Sequence, residues 1–459
     1  MNNFDNKKIG IWGFGVVGSS ALTFFDQWNV TSIEILNNKP VELPHTRNIV
    51  FATLQAPTTI HNFFENNDFI LVSPGIPLHQ YQSYAHKLIS ELDLFYHHNS
   101  SPTIAITGSL GKTSITHLLT NILQKMNLHT IAAGNIGYPM LQLISKLQTE
   151  KFDTIVLELS SFQLQQSQIC SPDLAIITNI YDNHLDHHAS IDEYIDAKFN
   201  IIKHQNSLKK ALMPLELASL VNAKSLDHHH IIFFSASKPT QEQLSKLAPD
   251  TTIYYVDKNS IYKMVNQVTT LLLTISQLPP ITFQTNFLII LAALDIQNIS
   301  VQSVANILAQ LDIPDHRLQK IASHHGSDFY NDSKSTVWQA TLQAVNSMHH
   351  DKPIKLFLGG LSKGANREPL LQALQNKNIE VYAFGKEAEL LGTICKKFNI
   401  AYAAHDTLQD SFDACVKNIT QPSSILFSPA GSSYDLFDNY IDRGKKFVNM
   451  VTNYTKNIS

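Results

Sequence analysis

The chain of 459 residues carries 44% hydrophobic against 16% charged residues and a net charge of −4. That balance excludes a disordered polymer, and a sequence pI of 6.6 excludes a strongly cationic nucleic-acid binder. The length exceeds one ordinary core and implies about three domains.

Residues 1–8 show no signal peptide and lead straight into a strand, so a cytoplasmic protein is expected. The most apolar run, residues 287–294, stops at Asp295 and is too short for membrane insertion. Cys170, Cys395 and Cys415 have neither disulfide nor zinc spacing and read as buried thiols. The strand over 8–12 is followed by the turn Gly13-Phe-Gly15-Val-Val-Gly18 and a helix over 19–28. Such a turn lets backbone approach a phosphate, or packs a helix on a strand. A dinucleotide site needs an acidic residue closing the second strand, but the strand over 32–36 holds Glu34 inside it and ends in Asn37-Asn38. NAD binding therefore ranks below a nucleotide-sugar site or plain turn geometry. A strand over 68–72 runs into Ser73-Pro74-Gly75-Ile76-Pro77, at a strand edge where open α/β sheets bind ligands. The first unit closes at His97-His98-Asn-Ser-Ser-Pro102, a polar linker.

An apolar strand over 104–106 then ends in Gly108-Ser-Leu-Gly111, with Lys112, Thr113 and Ser114 leading a helix marked by Ile115, Leu118, Leu119 and Ile122. Strand, glycine loop, lysine, hydroxyl and helix make a phosphate cradle: N–H groups and the helix N-terminus face the anion, and a hydroxyl can hold Mg²⁺. The full Walker pattern is incomplete, because Ile106 stands five positions before Gly111. Gly134-Asn135-Ile-Gly137 forms another ligand-facing turn. The strand over 153–158 ends in Glu158, which is either a Mg²⁺ ligand or a structural acceptor; the phosphate loop's need for a cation favours the first. A strand over 174–179 feeds Asp182-Asn183-His184-Leu-Asp186-His187-His188. Zinc or iron binding competes there with a polar loop of surface histidines, and His184 and Asp186 are the stronger functional candidates. Lys198 lies on a helix over 191–199. The runs His228-His229-His230, His324-His325 and His349-His350 read as solvated loops.

A third unit starts near Asp312 and contains Asn331-Asp332-Ser-Lys334-Ser-Thr336 after a short strand. A strand over 355–358 then meets Gly359-Gly360-Leu-Ser-Lys363-Gly364, and one over 424–427 runs into Ser428-Pro-Ala-Gly431-Ser-Ser433 and on to Tyr440 and Arg443-Gly444. Three α/β units with glycine or hydroxyl turns at strand ends predict a multi-substrate enzyme.

Thr107-Gly-Ser-Leu-Gly-Lys-Thr113, Glu158-Leu-Ser-Ser-Phe-Gln163, Asn183-His-Leu-Asp186, Ala197-Lys198, Asn331-Asp-Ser-Lys-Ser-Thr336 and Gly359-Gly-Leu-Ser-Lys-Gly364 fall in the order seen in the Mur ligases. The chain resembles that family along essentially its whole length. It lacks the Asp-Asn-Pro-Arg string of diaminopimelate-adding members, which favours the D-glutamate-adding branch. The resemblance implies an α/β fold of three domains. These are a Rossmann-like UDP-binding domain at 1–97, a central phosphate-loop ATPase domain at 98–312, and a C-terminal Rossmann-like domain at 313–459. It implies a monomer that joins D-glutamate to UDP-N-acetylmuramoyl-L-alanine with ATP and two Mg²⁺ ions. Val16, Val17, Asn37, Asn38, Ser73, Gly75 and Asn135 would hold the UDP-sugar. Gly108, Gly111, Lys112, Thr113, Ser114, Asn286, Arg317 and Asp332 would hold ATP. Thr113, Glu158, His184 and a carbamylated Lys198 would ligate metal, with Lys112, His184 and Lys198 as the catalytic set. Lys334, Thr336, Lys363, Ser433 and Tyr440 would bind the amino acid. The chain departs from the family at Leu110 and Ile289, where Asn is usual, at Asn37 and Asn183, where Asp is usual, and at Thr285, where His is common.

Overall fold

A computed structural model describes residues 3–181, 188, 190–224, 226, 230–279, 283–308, 310–311, 314–348 and 351–456. Three sheets of five, nine and six strands account for the strands among the described residues. The first comprises β1 (Lys8–Trp12), β2 (Ser32–Asn37), β3 (Val50–Leu54), β4 (Phe69–Val72) and β5 (Leu88–Ile89), in the order β3-β2-β1-β4-β5. All its pairings are parallel. Ile9, Ile11, Ile33 and Ile35 are fully buried because helices cover such sheets on both faces. Phe4 meets Phe24, Phe25, Trp28 and Phe69 edge to face. The helix after the glycine turn spans Val16–Phe25 and so begins three residues earlier than its apolar pattern suggests.

The second sheet holds β6 (Thr103–Thr107), β7 (Thr130–Gly134), β8 (Thr154–Glu158), β9 (Leu174–Ile177), β10 (Lys210–Pro214), β11 (Ile231–Ser235), β12 (Ile253–Asp257), β13 (Ser260–Val265) and β14 (Val268–Thr274). Its order is β14-β13-β12-β11-β10-β9-β6-β8-β7, parallel from β7 to β12 and antiparallel beyond. Asn266 and Gln267 both take positive φ, as the two-residue turn between β13 and β14 requires. β6 is buried at every position and lies between β8 and β9, where the strand order reverses. Open α/β sheets bind ligands in the crevice at such a reversal.

His97 and His98 form the last turn of a helix, Glu91–His98, rather than a linker. That helix is bound to the second sheet's elements: Glu91 Oε1 accepts from the Met140 N–H at 3.1 Å, and Asp93 accepts from the Ser167 hydroxyl and the Gln168 and Ile169 N–H groups. Burial pushes the Glu91 carboxyl up to about 7.

The third sheet contains β15 (Gln319–His324), β16 (Ser327–Asn331), β17 (Ile354–Gly359), β18 (Ile379–Phe384), β19 (Ala401–His405) and β20 (Ser424–Phe427). Its order is β15-β16-β20-β17-β18-β19, with β15 alone antiparallel. The last strand in sequence inserts between β16 and β17, bringing three loop-bearing strand ends together. The chain divides into two compact units, Met1–Ile275 with Leu288–Leu308, and Ser276–Phe287 with Ala309–Ser459. No helix among the described residues is long and apolar enough to cross a membrane.

Candidate active site

In the first unit the phosphate loop closes β6 and caps the helix Lys112–Lys125. Gly108 and Gly111 both take positive φ, and a Cβ at Gly108 would lie 2.0 Å from Thr178 Oγ1. Glycine at 108 is therefore a steric necessity. The loop is laced to the end of β9. Ser109 N–H donates to Asn179 O at 3.0 Å and Leu110 N–H to Asn179 Oδ1 at 2.8 Å. The Thr178 hydroxyl and Asn179 Nδ2 donate to Leu110 O at 2.6 and 3.1 Å.

Lys112 Nζ curls over this loop, donating to Gly108 O at 2.6 Å and Ser109 O at 3.2 Å. Lys198, on the helix Ile191–Lys203, donates to the same Gly108 O at 3.0 Å and is only 2% exposed. Its ammonium lies 4.5 Å from the Tyr194 ring centre, and the Tyr194 hydroxyl meets Ser109 Oγ at 2.8 Å. Burial, and then the nearby Lys112 charge, hold the Lys198 amine well below the usual lysine range. Thr113 is half-buried and Ser114 buried in the helix's first turn.

Glu158 closes β8 at 1% exposure. Its Oε1 accepts from Asn135 Nδ2 at 2.7 Å, while Oε2 is buried and accepts no hydrogen bond among the described residues. A carboxylate oxygen left so is costly unless a cation meets it. Gly134 packs over the same strand end, where a Cβ would lie 2.4 Å from Glu158 O. Ser160 and Gln163 form a capping box for the helix Ser161–Gln166. His188 is buried against this helix, with Nε2 2.9 Å from Ser161 Oγ and its ring stacked on Phe162, so it is no surface histidine. His230 is buried too, against the reading of its run as a solvated loop.

At the end of the first sheet Gly13 takes positive φ, and a Cβ at Gly18 would fall 2.0 Å from Gly13 O. Asn37 Oδ1 accepts from Phe14 N–H at 3.2 Å and its Nδ2 donates to Lys39 O, so this amide ties the glycine turn to the loop after β2. Ser73 Oγ donates to Gly13 O at 3.2 Å. Val16 is exposed, Val17 packs on the core, and Asn38 and Gly75 are at the surface. Glu34 is buried, accepting from the Thr53 hydroxyl at 2.8 Å and Asn67 Nδ2 at 3.0 Å. Its carboxylate is spent inside the domain and reads no ribose.

In the second unit the loops after β16, β17 and β20 converge. Lys334 lies 3.9 Å from the Tyr440 ring centre. Lys363 is exposed at positive φ, its ammonium 5.9 Å from the Tyr434 ring centre; Thr336 is exposed and Ser433 buried. Asp332 is buried, accepting from Leu318 N–H at 3.2 Å and the Ser428 hydroxyl at 2.7 Å, and burial pushes its carboxyl up to about 7. Arg317 is half-buried, and Asn286 is buried near the start of the helix Gln284–Ile296. His184, Asn183 and Asp186 lie outside the described residues, as does Asp312.

Residues 106–293 match the model of the Mur ligase middle domain. A UDP-N-acetylmuramoylalanine--D-glutamate ligase of Streptococcus pneumoniae strain R6 is 27% identical over 460 residues, covering 98% of each chain. Residues 106–293 thus carry the pattern of a Mur ligase middle domain, and the chain is similar end to end to a D-glutamate ligase of that kind. Solved structures agree in fold. A pseudomurein peptide ligase type C from Methanothermus fervidus superposes with a TM-score of 0.58 at 14% identity, covering 98% of this chain and 100% of that one. A MurF ligase from Thermotoga maritima in complex with ADP gives 0.57 at 13% identity, covering 99% and 96%.

Within the domain that matches, the donor set fits a divalent cation. Glu158 Oε2 is a hard oxygen without a hydrogen-bond partner among the described residues, and Thr113 brings a hydroxyl into the first turn of the helix at the loop. Leu110, the departure in the phosphate loop, engages its neighbours through its own N–H and C=O, which Asn179 and Thr178 bind. Sequence reasoning missed Asn179, Thr178 and Tyr194. A polar pair just after β9, the strand beside the loop's own strand, was the available signal for the first two.

Proposed function

We propose that this protein is a Mur ligase that joins D-glutamate to UDP-N-acetylmuramoyl-L-alanine, with ATP as the energy source, in peptidoglycan precursor synthesis. The observation that carries the reading is the pair of lysines, Lys112 and Lys198, meeting on one carbonyl of a glycine loop at the reversal point of the second sheet. The end-to-end likeness to D-glutamate ligases supports the choice of substrates.

The substrate carboxylate attacks the γ-phosphorus of ATP and ADP leaves, giving an acyl phosphate. The D-glutamate amine then adds to that carbonyl, loses its proton, and phosphate departs from the tetrahedral intermediate. Phosphoryl transfer of this kind is accelerated by positioning and charge neutralisation. The helix N-terminus at Gly111–Ser114 binds phosphate oxygens, and Lys112 neutralises charge on them. Glu158, Thr113 and His184 would hold Mg²⁺, which supplies further neutralisation when bound.

Lys198 suits carbamylation. A buried amine with a lowered proton affinity has its lone pair free to add to CO₂, and the resulting carbamate turns a cation into an oxygen ligand. Asn286, Arg317 and Asp332 would complete the ATP contacts; Val16, Val17, Asn37, Asn38, Ser73, Gly75 and Asn135 would bind the UDP-sugar; and Lys334, Thr336, Lys363, Ser433 and Tyr440 the amino acid. The enzyme would act as a cytoplasmic monomer. Phosphate release measured with UDP-N-acetylmuramoyl-L-alanine, ATP–Mg²⁺ and a panel of amino acids tests the reading. Release with D-glutamate is expected, whereas release with L-alanine or L-glutamate and none with D-glutamate would overturn it.

A further inference from the structure

Two buried guanidinium groups, Arg367 and Arg443, contact the three converging loops of the second unit. Arg443 donates to Ser333 O at 2.7 Å, Ser333 Oγ at 3.1 Å and Gly431 O at 2.8 Å. Arg367 Nη2 donates to Gly360 O at 2.7 Å and lies 3.3 Å from Glu387 Oε2. Glu387 Oε1 accepts from the Ser362 N–H at 2.8 Å and the Ser362 hydroxyl at 3.0 Å. The arginine also fills space that a side chain would need, since a Cβ at Gly431 would come within 2.3 Å of its Nη2.

The residue after Ser362 is Lys363, whose φ is +52°. A lysine adopts the left-handed region at a cost, and holds it where its surroundings impose it. The Glu387 tether on the preceding amide is such a constraint. Stability is a poor reason for the ion pair. Arg367 Nε and Nη1 are buried without a hydrogen-bond partner among the described residues, and Glu387 Oε2 meets the arginine only as an ion-pair contact. A buried charged network with unmet donors stabilises less than apolar side chains of the same volume.

We infer that Arg367 and Glu387 are positioning residues for amino-acid binding: through Ser362 they hold Lys363 in the conformation that presents its ammonium to the carboxylate of the incoming amino acid. This rests on the reading of Lys363 as an amino-acid ligand. Neither residue touches substrate, so each acts through the loop between β17 and the helix Glu368–Leu374.

Glu387→Ala tests this in the full-length enzyme. The side chain is 19% exposed and makes no capping hydrogen bond to the helix Ala388–Lys397, so its loss leaves that helix's start intact. Expected are a roughly tenfold rise in KM for D-glutamate, kcat within about threefold, and KM for ATP and the UDP-sugar within about twofold of the parent. Glu387→Gln keeps an acceptor for the Ser362 N–H and should restore KM for D-glutamate to within about threefold. Hydrogen exchange at residues 362–364 should quicken in Glu387→Ala and stay at the parent rate in Glu387→Gln. An unchanged KM for D-glutamate with unchanged exchange overturns the inference, as does a uniform rise of all three KM values with a lowered melting temperature. If the parent enzyme itself gives no amino-acid-dependent phosphate release, the ligase reading fails, while the exchange rates still decide whether the tether exists. Should Glu387→Ala not fold, Arg367→Lys is read by the same measurements.

Discussion

Lys198 shows how a fold can change what a residue is. On a surface it would be a hydrated cation; here it is buried beside Lys112 with a backbone carbonyl and the Tyr194 ring for company. Both burial and the neighbouring cation favour the neutral amine, the form that reacts with CO₂. Lys198→Ala should therefore release phosphate at least about a hundredfold more slowly than the parent, a loss of the size expected for a group acting on transition-state charge. Added short-chain carboxylates should partly restore the rate by standing in for the carbamate. Full activity without them would remove the carbamate from the account. Glu158 has the complementary character, with one oxygen held by Asn135 and the other buried without a hydrogen bond among the described residues. Its position at a strand end was legible in the sequence. The contact with Asn135 was not, because it pairs residues 23 apart that meet only when β7 and β8 lie side by side.

At the scale of elements, the phosphate loop is a joint between two strand ends. The glycines that mark it in the sequence are needed for its path, at positive φ and in close contact with Thr178. What holds that path is the Thr178–Asn179 pair after β9, which binds the Leu110 N–H and C=O. Asn179→Ala should raise KM for ATP by up to about tenfold, the equivalent of one or two net hydrogen bonds. Asn179→Asp, which keeps the acceptor for Leu110 N–H, should lose less. Equal KM values for ATP in the parent and both variants, measured by phosphate release, would show that the loop holds its shape unaided. Strands and their glycine turns were readable because apolar runs and punctuation are local signals. Less was readable where the signal is long-range. His97 and His98 finish a helix bound to the second sheet's elements, and Glu34 serves an internal network rather than a ribose. The β13–β14 extension of the sheet also went unread, its turn residues Asn266 and Gln267 being no glycine signal.

At the scale of the whole molecule, the same device occurs in each sheet: loops with glycine or polar side chains follow the C-terminal ends of parallel strands where the strand order reverses, the usual place for ligands in open α/β sheets. That recurrence is what a reaction with three substrates needs. The first sheet offers a glycine turn braced by Asn37 and Ser73, the second a phosphate loop with two lysines, and the third the cluster around Lys334, Lys363 and Tyr440. The central claim is that a substrate carboxylate attacks ATP held on the loop of the second sheet. It is tested most directly by following oxygen-18 from the carboxylate of UDP-N-acetylmuramoyl-L-alanine during turnover with D-glutamate and ATP. The account predicts that one labelled carboxylate oxygen appears in the released inorganic phosphate for each amide formed. Amide formation with unlabelled phosphate would contradict it.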